Sequence, residues 1–177
     1  MRCSRTVFPR LTLTALLGVF VPLALLAGCA GTLTLPEQRP ADYAMVLTVY
    51  PLGDDTPGHA GAFRPARYAL EPDGLLRAEV GAGVTEPDYP PIARRLEPAQ
   101  AETLYALARG LNLDQPDTGP ANIPGPQVYT PPTDTPVAMI EVASLGTARA
   151  FELDAGPTAP AAPLLRELER LTWQGQD

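Results

Sequence analysis

The chain has 177 residues carrying 13 basic and 20 acidic side chains, a formal charge of -7, and every basic residue is arginine because lysine is absent. That balance argues against nonspecific nucleic-acid or anionic-membrane binding through a basic surface, and the missing lysine excludes a phosphate-binding P-loop and Schiff-base chemistry. Twenty-two prolines and fifteen glycines are many for a compact domain but too few for a wholly disordered chain, and the length suits a single domain.

The first ten residues hold three arginines and no acid, and Leu11 to Ala27 is an apolar run broken only by Thr12, Thr14, Gly18 and Pro22. A basic start, an apolar centre and small residues ahead of a cut are the parts of an export signal. At about 17 residues with a proline inside, the run is at the lower limit for crossing a hydrocarbon core, so an uncleaved spanning helix is the alternative. The run ends in Leu26-Ala27-Gly28-Cys29, which resembles the lipobox of bacterial lipoproteins. The resemblance covers the signal segment alone. It implies cleavage after Gly28 at the Leu26-Ala27-Gly28 recognition residues, a diacylglycerol thioether on Cys29, and acylation of the new amine. It further implies, because Ala30 and not aspartate follows the cysteine, a destination at the outer membrane facing the periplasm.

Removing residues 1–28 takes away three arginines and Cys3, so the mature chain of residues 29–177 has ten basic and twenty acidic residues, a formal charge of -10. No thiol pair is left for a disulfide or zinc site. A chain of this length can bury ~68–70% of its unfolded surface and is expected to fold on its core alone. Residues 29–41 are expected to be a lipidated N-terminus and flexible tether, because Gly31 to Ala41 shows little periodic apolar content; fully extended, those eleven residues would reach about 36 Å.

Folded structure is expected over residues 42–177 as one α+β domain. Tyr43 to Tyr50 alternates with apolar residues on both faces and predicts a central strand. Pro51 to Gly61 is expected to be a loop. Ala66 to Leu70 and Leu75 to Val80 flank Glu71-Pro72-Asp73-Gly74, where Asp-Gly suits a tight reversal, so they predict a hairpin. Glu97 to Gly110 predicts a helix, with Pro98 in its first turn, Arg109 at its negative end, Gly110 as its stop, and Leu104, Leu107, Ala108 and Leu111 as its buried stripe. Residues 112–136 form a Pro-rich loop with seven prolines, through which no helix can run. Val137 to Ala143 and Thr147 to Leu153 predict a second hairpin across Ser144-Leu145-Gly146. A final helix follows, facing Leu164, Leu165, Leu168 and Leu171 inward. The expected architecture is an antiparallel sheet of about five strands with two helices packed on one face.

Chemistry-bearing residues are sparse. Ser144 in a turn and His59 in a separate loop have no nucleophile-elbow context. Asp54, Asp55 and His59 cluster without a recognised metal spacing, and neither a metal nor a cofactor is expected. The carboxylate pairs Glu71 with Asp73, Glu86 with Asp88, and Glu152 with Asp154 are explained by turn chemistry and strand solvation. Arg94 and Arg95 are expected to pair with the surplus of acids. The Pro-rich loop stands out, because proline fixes φ before binding and so lowers the entropy lost on recognition; Tyr129 is its candidate partner-binding residue.

The leading expectation is therefore a non-enzymatic, lipid-anchored envelope protein that is membrane-bound through Cys29 and binds a protein or envelope component, without nucleic acid. Two alternatives stand beside it. In its order of strands, Asp-Gly hairpin, helix, hairpin and closing helix, with Leu96-Glu97-Pro98-Ala99-Gln100 opening the first helix and Pro163-Leu164-Leu165-Arg166-Glu167-Leu168 the second, the mature chain resembles the emfourin-type inhibitors of thermolysin-like proteases. That resemblance spans about residues 43–173 and implies protease inhibition, transfers no inhibitory residue, and is departed from by the Pro-rich insertion. The other alternative is an enzyme of unknown type, for which the acidic loop around His59 is the only support.

Overall fold

The computed structural model describes Leu33 and residues 35–50, 61–81, 84, 89–113 and 135–173. Its elements are β1 (Ala44–Val49), a short 3-10 turn (Gly61–Phe63), β2 (Ala66–Leu70), β3 (Leu75–Val80), β4 (Ile92–Arg95), α1 (Pro98–Arg109), β5 (Val137–Ser144), β6 (Thr147–Asp154) and α2 (Ala162–Trp173). The strands form one antiparallel sheet in the order β4-β3-β2-β1-β5-β6. The first four run outward as a meander from β1 to the β4 edge. After α1 the chain reaches the other side of β1, and β5 and β6 complete the sheet.

Register follows from the alternation of side chains. Met45, Leu47 and Val49 of β1 lie opposite Leu70, Tyr68 and Ala66 of β2 and opposite Val142, Ile140 and Ala138 of β5. These residues make one continuous apolar face, and a one-residue slip would replace it with the row Glu79, Arg67, Thr48, Met139 and Glu152 that runs across the other face. On the apolar side, α1 buries Ala101, Leu104, Tyr105 and Ala108, while α2 buries Leu164, Leu165, Leu168 and Leu171. Sheet and helices share a single core. Each leucine so buried contributes roughly 1.5–3 kcal/mol, so α2 is held by its stripe of four leucines more than by its intrinsic helicity.

The α+β class, the antiparallel sheet and the two helices are as the sequence predicts. The sheet has six strands, one more than the five segments legible in sequence. The addition is β4, hidden because Pro90-Pro91 and Arg94-Arg95 leave no apolar alternation in its four residues. It pairs with β3 through an irregularity at Leu76/Arg77. Its two arginines diverge. Arg94 donates to the Leu171 carbonyl at 3.3 Å near the end of α2, whereas Arg95 reaches the β2–β3 turn and pairs with the Asp73 carboxylate at 3.0 Å.

Local signals act at the expected places, with one exception. Gly74 takes φ +82° in the β2–β3 turn, where its N–H donates to the Glu71 carbonyl and the Asp73 carboxylate accepts the Leu75 N–H. Before α1, Gln100 Oε1 accepts the Glu97 N–H at 2.9 Å, so a first-turn side chain satisfies the residue ahead of the helix. At the other end, Gly110 keeps a right-handed φ of -65°, and the left-handed residue is Asn112, at φ +51°. Asparagine tolerates that conformation better than most residues with a Cβ.

Candidate functional site

Long-range side-chain contacts converge where the chain enters the sheet. Tyr43, immediately ahead of β1, is fully buried, and its ring meets that of Tyr105 on α1 edge-to-face, with centroids 4.7 Å apart and planes at 82°. The Tyr43 hydroxyl donates to Met45 Sδ at 3.6 Å, and the Tyr105 hydroxyl donates to the Pro36 carbonyl at 2.5 Å. Arg109 donates to the Glu37 carbonyl at 3.0 Å, and Arg39 bridges α1 to the β2–β3 turn by pairing with Glu102 at 3.0 Å and donating to the Pro72 carbonyl at 3.3 Å. Leu33 is only 4% exposed within the common core, and Leu35 packs against it.

These contacts correct the expected tether. Leu33 and residues 35–41 form a strap docked along α1, and freely extended chain up to Ala41 does not describe them. The physical reason is non-local: Leu33 and Leu35 sit among prolines and polar residues but join the common core, while Tyr105, Arg109 and Glu102 of α1 engage Pro36, Glu37 and Arg39.

At the same end of the sheet, Asp42 accepts the Gly146 N–H at 2.9 Å, tying the end of the strap to the β5–β6 turn. The Gly146 and Leu145 amides hold the Asp42 carboxyl below its ordinary value. The turn itself is Leu145-Gly146, with φ of +52° and +72°. Two left-handed residues match the twist of a two-residue hairpin, but the first position favours asparagine, aspartate or glycine. Leu145 occupies it with its side chain 67% exposed.

The remaining electrostatics are structural. Burial raises the Tyr43 hydroxyl, with Tyr105 adding to the effect, and burial also raises Tyr105. Tyr68 is pushed up to about 12, mainly by burial and further by Glu169. The Leu75 amide and then Arg95 hold the Asp73 carboxyl below the usual range. Glu71 raises Arg77 through a 2.6 Å contact, while the Arg77 guanidinium lies 4.9 Å from the centre of the Tyr89 ring. Every one of these shifts moves away from neutrality, so each of these groups keeps its ordinary charge at pH 7. Among the described residues, no three histidine, cysteine or acidic side chains come together to hold a metal ion.

The residues singled out from sequence divide clearly. Leu26, Ala27, Gly28 and Cys29, the loop residues Asp54, Asp55 and His59, the pair Glu86 and Asp88, and Tyr129 all lie outside the described residues. Both flanks of the Pro-rich loop are anchored. Leu113 is buried in the core on one side, and on the other the Pro136 carbonyl accepts the Ala155 N–H at 2.8 Å. Glu71 and Asp73 are engaged by Arg77 and Arg95, and Asp154 accepts the Gly156 N–H at 2.7 Å. Ser144 is the last residue of β5 and is 2% exposed, so it sits inside the fold and not on the turn surface. Sequence reasoning missed the strap and the exposed Leu145. The alternation of Leu33 and Leu35 was the only signal for the first, and a leucine in an Asn-Gly-type position the only signal for the second. Comparison with known proteins returns no relative: no protein-family model, curated protein or solved structure matches the chain.

Proposed function

We propose that this chain is a lipid-anchored envelope protein, processed before Cys29 and acylated there, whose acidic α+β domain is a non-enzymatic binding module for a protein or another envelope component. The observation that carries this reading is the order of a basic start, an apolar run and Leu26-Ala27-Gly28-Cys29. Each buried CH₂ of an acyl chain contributes ~0.8 kcal/mol, and two or more chains anchor stably where one binds only reversibly. Ala30 directs the product to the outer membrane, facing the periplasm, by the same resemblance. The binding role rests on the Pro-rich stretch between the anchored flanks Leu113 and Pro136, with Tyr129 as its candidate contact.

Intact mass of the native protein tests the anchor. Loss of residues 1–28 together with added diacylglycerol and fatty acid is the expected result, and Cys29→Ala should abolish both. A mature mass without acyl chains, or retention of the amino-terminal segment, refutes the proposal. Deleting residues 116–132 should abolish partner capture while leaving the far-ultraviolet circular dichroism of the domain intact; undiminished capture refutes the loop's role.

A further inference from the structure

The two edges of the sheet are built differently. β4 is four residues long, follows Pro90-Pro91 and pairs with β3 through an irregular register, all of which discourage the addition of a further strand. β6 is eight residues long, contains no proline, and keeps an unbroken register with β5 from Ser144↔Thr147 to Val137↔Asp154. Among the described residues no strand lies beyond it.

Hydrogen-bond parity fixes which backbone groups that outer edge presents. Along an antiparallel strand, residues alternate between those whose N–H and C=O point at one neighbour and those whose groups point the other way. The Ala155 N–H donates to the Pro136 carbonyl, and the Tyr50 N–H donates to the Val137 carbonyl. Pro136 therefore faces β6 and Val137 faces β1, so the even-numbered residues of β5 bond to the odd-numbered residues of β6. The N–H and C=O groups of Ala148, Ala150 and Glu152 point away from β5. Two of these three are alanines, which leave the backbone open to close approach.

We infer that β6 pairs antiparallel with β6 of a second copy of this chain about a two-fold axis at Ala150, joining two six-stranded sheets into one. Centred there, the pairing sets Ala150 opposite Ala150 of the second copy and Ala148 opposite Glu152 of the second copy. Each of these pairs exchanges both of its outward N–H and C=O groups. The same register sets Arg149 opposite Phe151 of the second copy, whereas centring it on Arg149 or Glu152 would set that charge against its own copy. A strand of unrelated sequence would gain the backbone bonds without this match of small residues to acids. The inference does not depend on acylation of Cys29.

The described core lies wholly within residues 33–171, so the test uses residues 29–177 with Cys29→Ser. Amide hydrogen exchange followed by NMR reads each backbone group separately. The Arg149, Phe151 and Leu153 amides are protected by β5 at every concentration, while those of Ala148, Ala150 and Glu152 should gain protection as the protein is concentrated. Where the dimer predominates, a concentration raised about a hundredfold lowers the monomer fraction about tenfold, and exchange at the three outward amides should slow to match. Ala150→Pro removes an outward donor and no bond to β5, so it should give a monomer in sedimentation equilibrium with an unchanged near-ultraviolet circular dichroism; Ala150→Thr should stay dimeric. Fast exchange of the three amides at every concentration overturns the inference. Protection that ignores concentration overturns it too, because the same chain would then cover its own edge, and a dimer that survives Ala150→Pro places the contact elsewhere. Should Ala150→Pro fail to fold, the exchange pattern of the unaltered strand decides alone.

Discussion

Replacing Leu33 with alanine measures whether the strap belongs to the fold. The side chain is 4% exposed and sits in the same core as Tyr43, Tyr105 and the α1 residues. Full burial of a leucine contributes roughly 1.5–3 kcal/mol, and Leu→Ala changes in closed cores cost about 2–5 kcal/mol once the remaining cavity is included. The strap is a single surface segment, and it can settle toward α1 more readily than an internal strand can, which places the expected loss near the lower end, at about 2 kcal/mol. For a domain of this size that corresponds to a fall in Tm of about 4–8 °C. Urea unfolding of residues 29–177, with Cys29→Ser to remove the thiol, reads this as a lower midpoint at unchanged slope. Arg39→Ala is the companion variant: it removes a partly exposed ion pair with Glu102 and should cost less than about 1 kcal/mol. A Leu33→Ala loss under about 0.5 kcal/mol, the level of an ordinary surface substitution, would refute the docked strap and restore a flexible tether.

Three further outcomes follow from particular groups. Leu145→Asn relieves a left-handed leucine in a turn that favours Asn-Gly, and should raise stability by about 1 kcal/mol by thermal or urea unfolding; a loss would show that the exposed leucine serves the fold. Tyr68 is fully buried, and its hydroxyl has no hydrogen-bond partner among the described residues, so Tyr68→Phe should leave stability unchanged or raise it by up to about 1 kcal/mol, whereas a clear loss would reveal a bound water or a partner elsewhere in the chain. Asp42 has its folded-state pKa lowered from 3.8 by turn amides, so its support of the hairpin is present above that value and is lost as the pH falls through the lowered folded-state value. The Gly146 amide resonance should titrate with a midpoint below 3.8, and Asp42→Asn should remove that midpoint.

How much was legible in sequence depends on the range over which each feature is encoded. Alternation in Tyr43 to Tyr50, the Asp-Gly reversal and the leucine stripe of α2 are local patterns, and each element forms where its pattern lies. β4 was invisible because four residues with two arginines have no period of their own; β3 supplies one side of it, and Arg94 and Arg95 act through the α2 terminus and the β2–β3 turn. The proposed role of Leu26 to Cys29 rests on residue order alone, since a processing signal of the kind proposed is read along the chain and needs no fold to be recognised.

The strap shows where such reading stops. Composition assigns Gly31 to Ala41 to a tether because proline, glutamate, glutamine and arginine surround two leucines, and nothing local opposes that assignment. Docking is decided by residues more than sixty positions away: Glu102 for Arg39, Tyr105 for Pro36 and Arg109 for Glu37. Two of these contacts use backbone carbonyls of the strap, which any sequence would offer, so no side-chain pattern in the strap records them. A polar, proline-containing segment ahead of a domain thus becomes a free leash or a fixed spacer according to the helix face it meets.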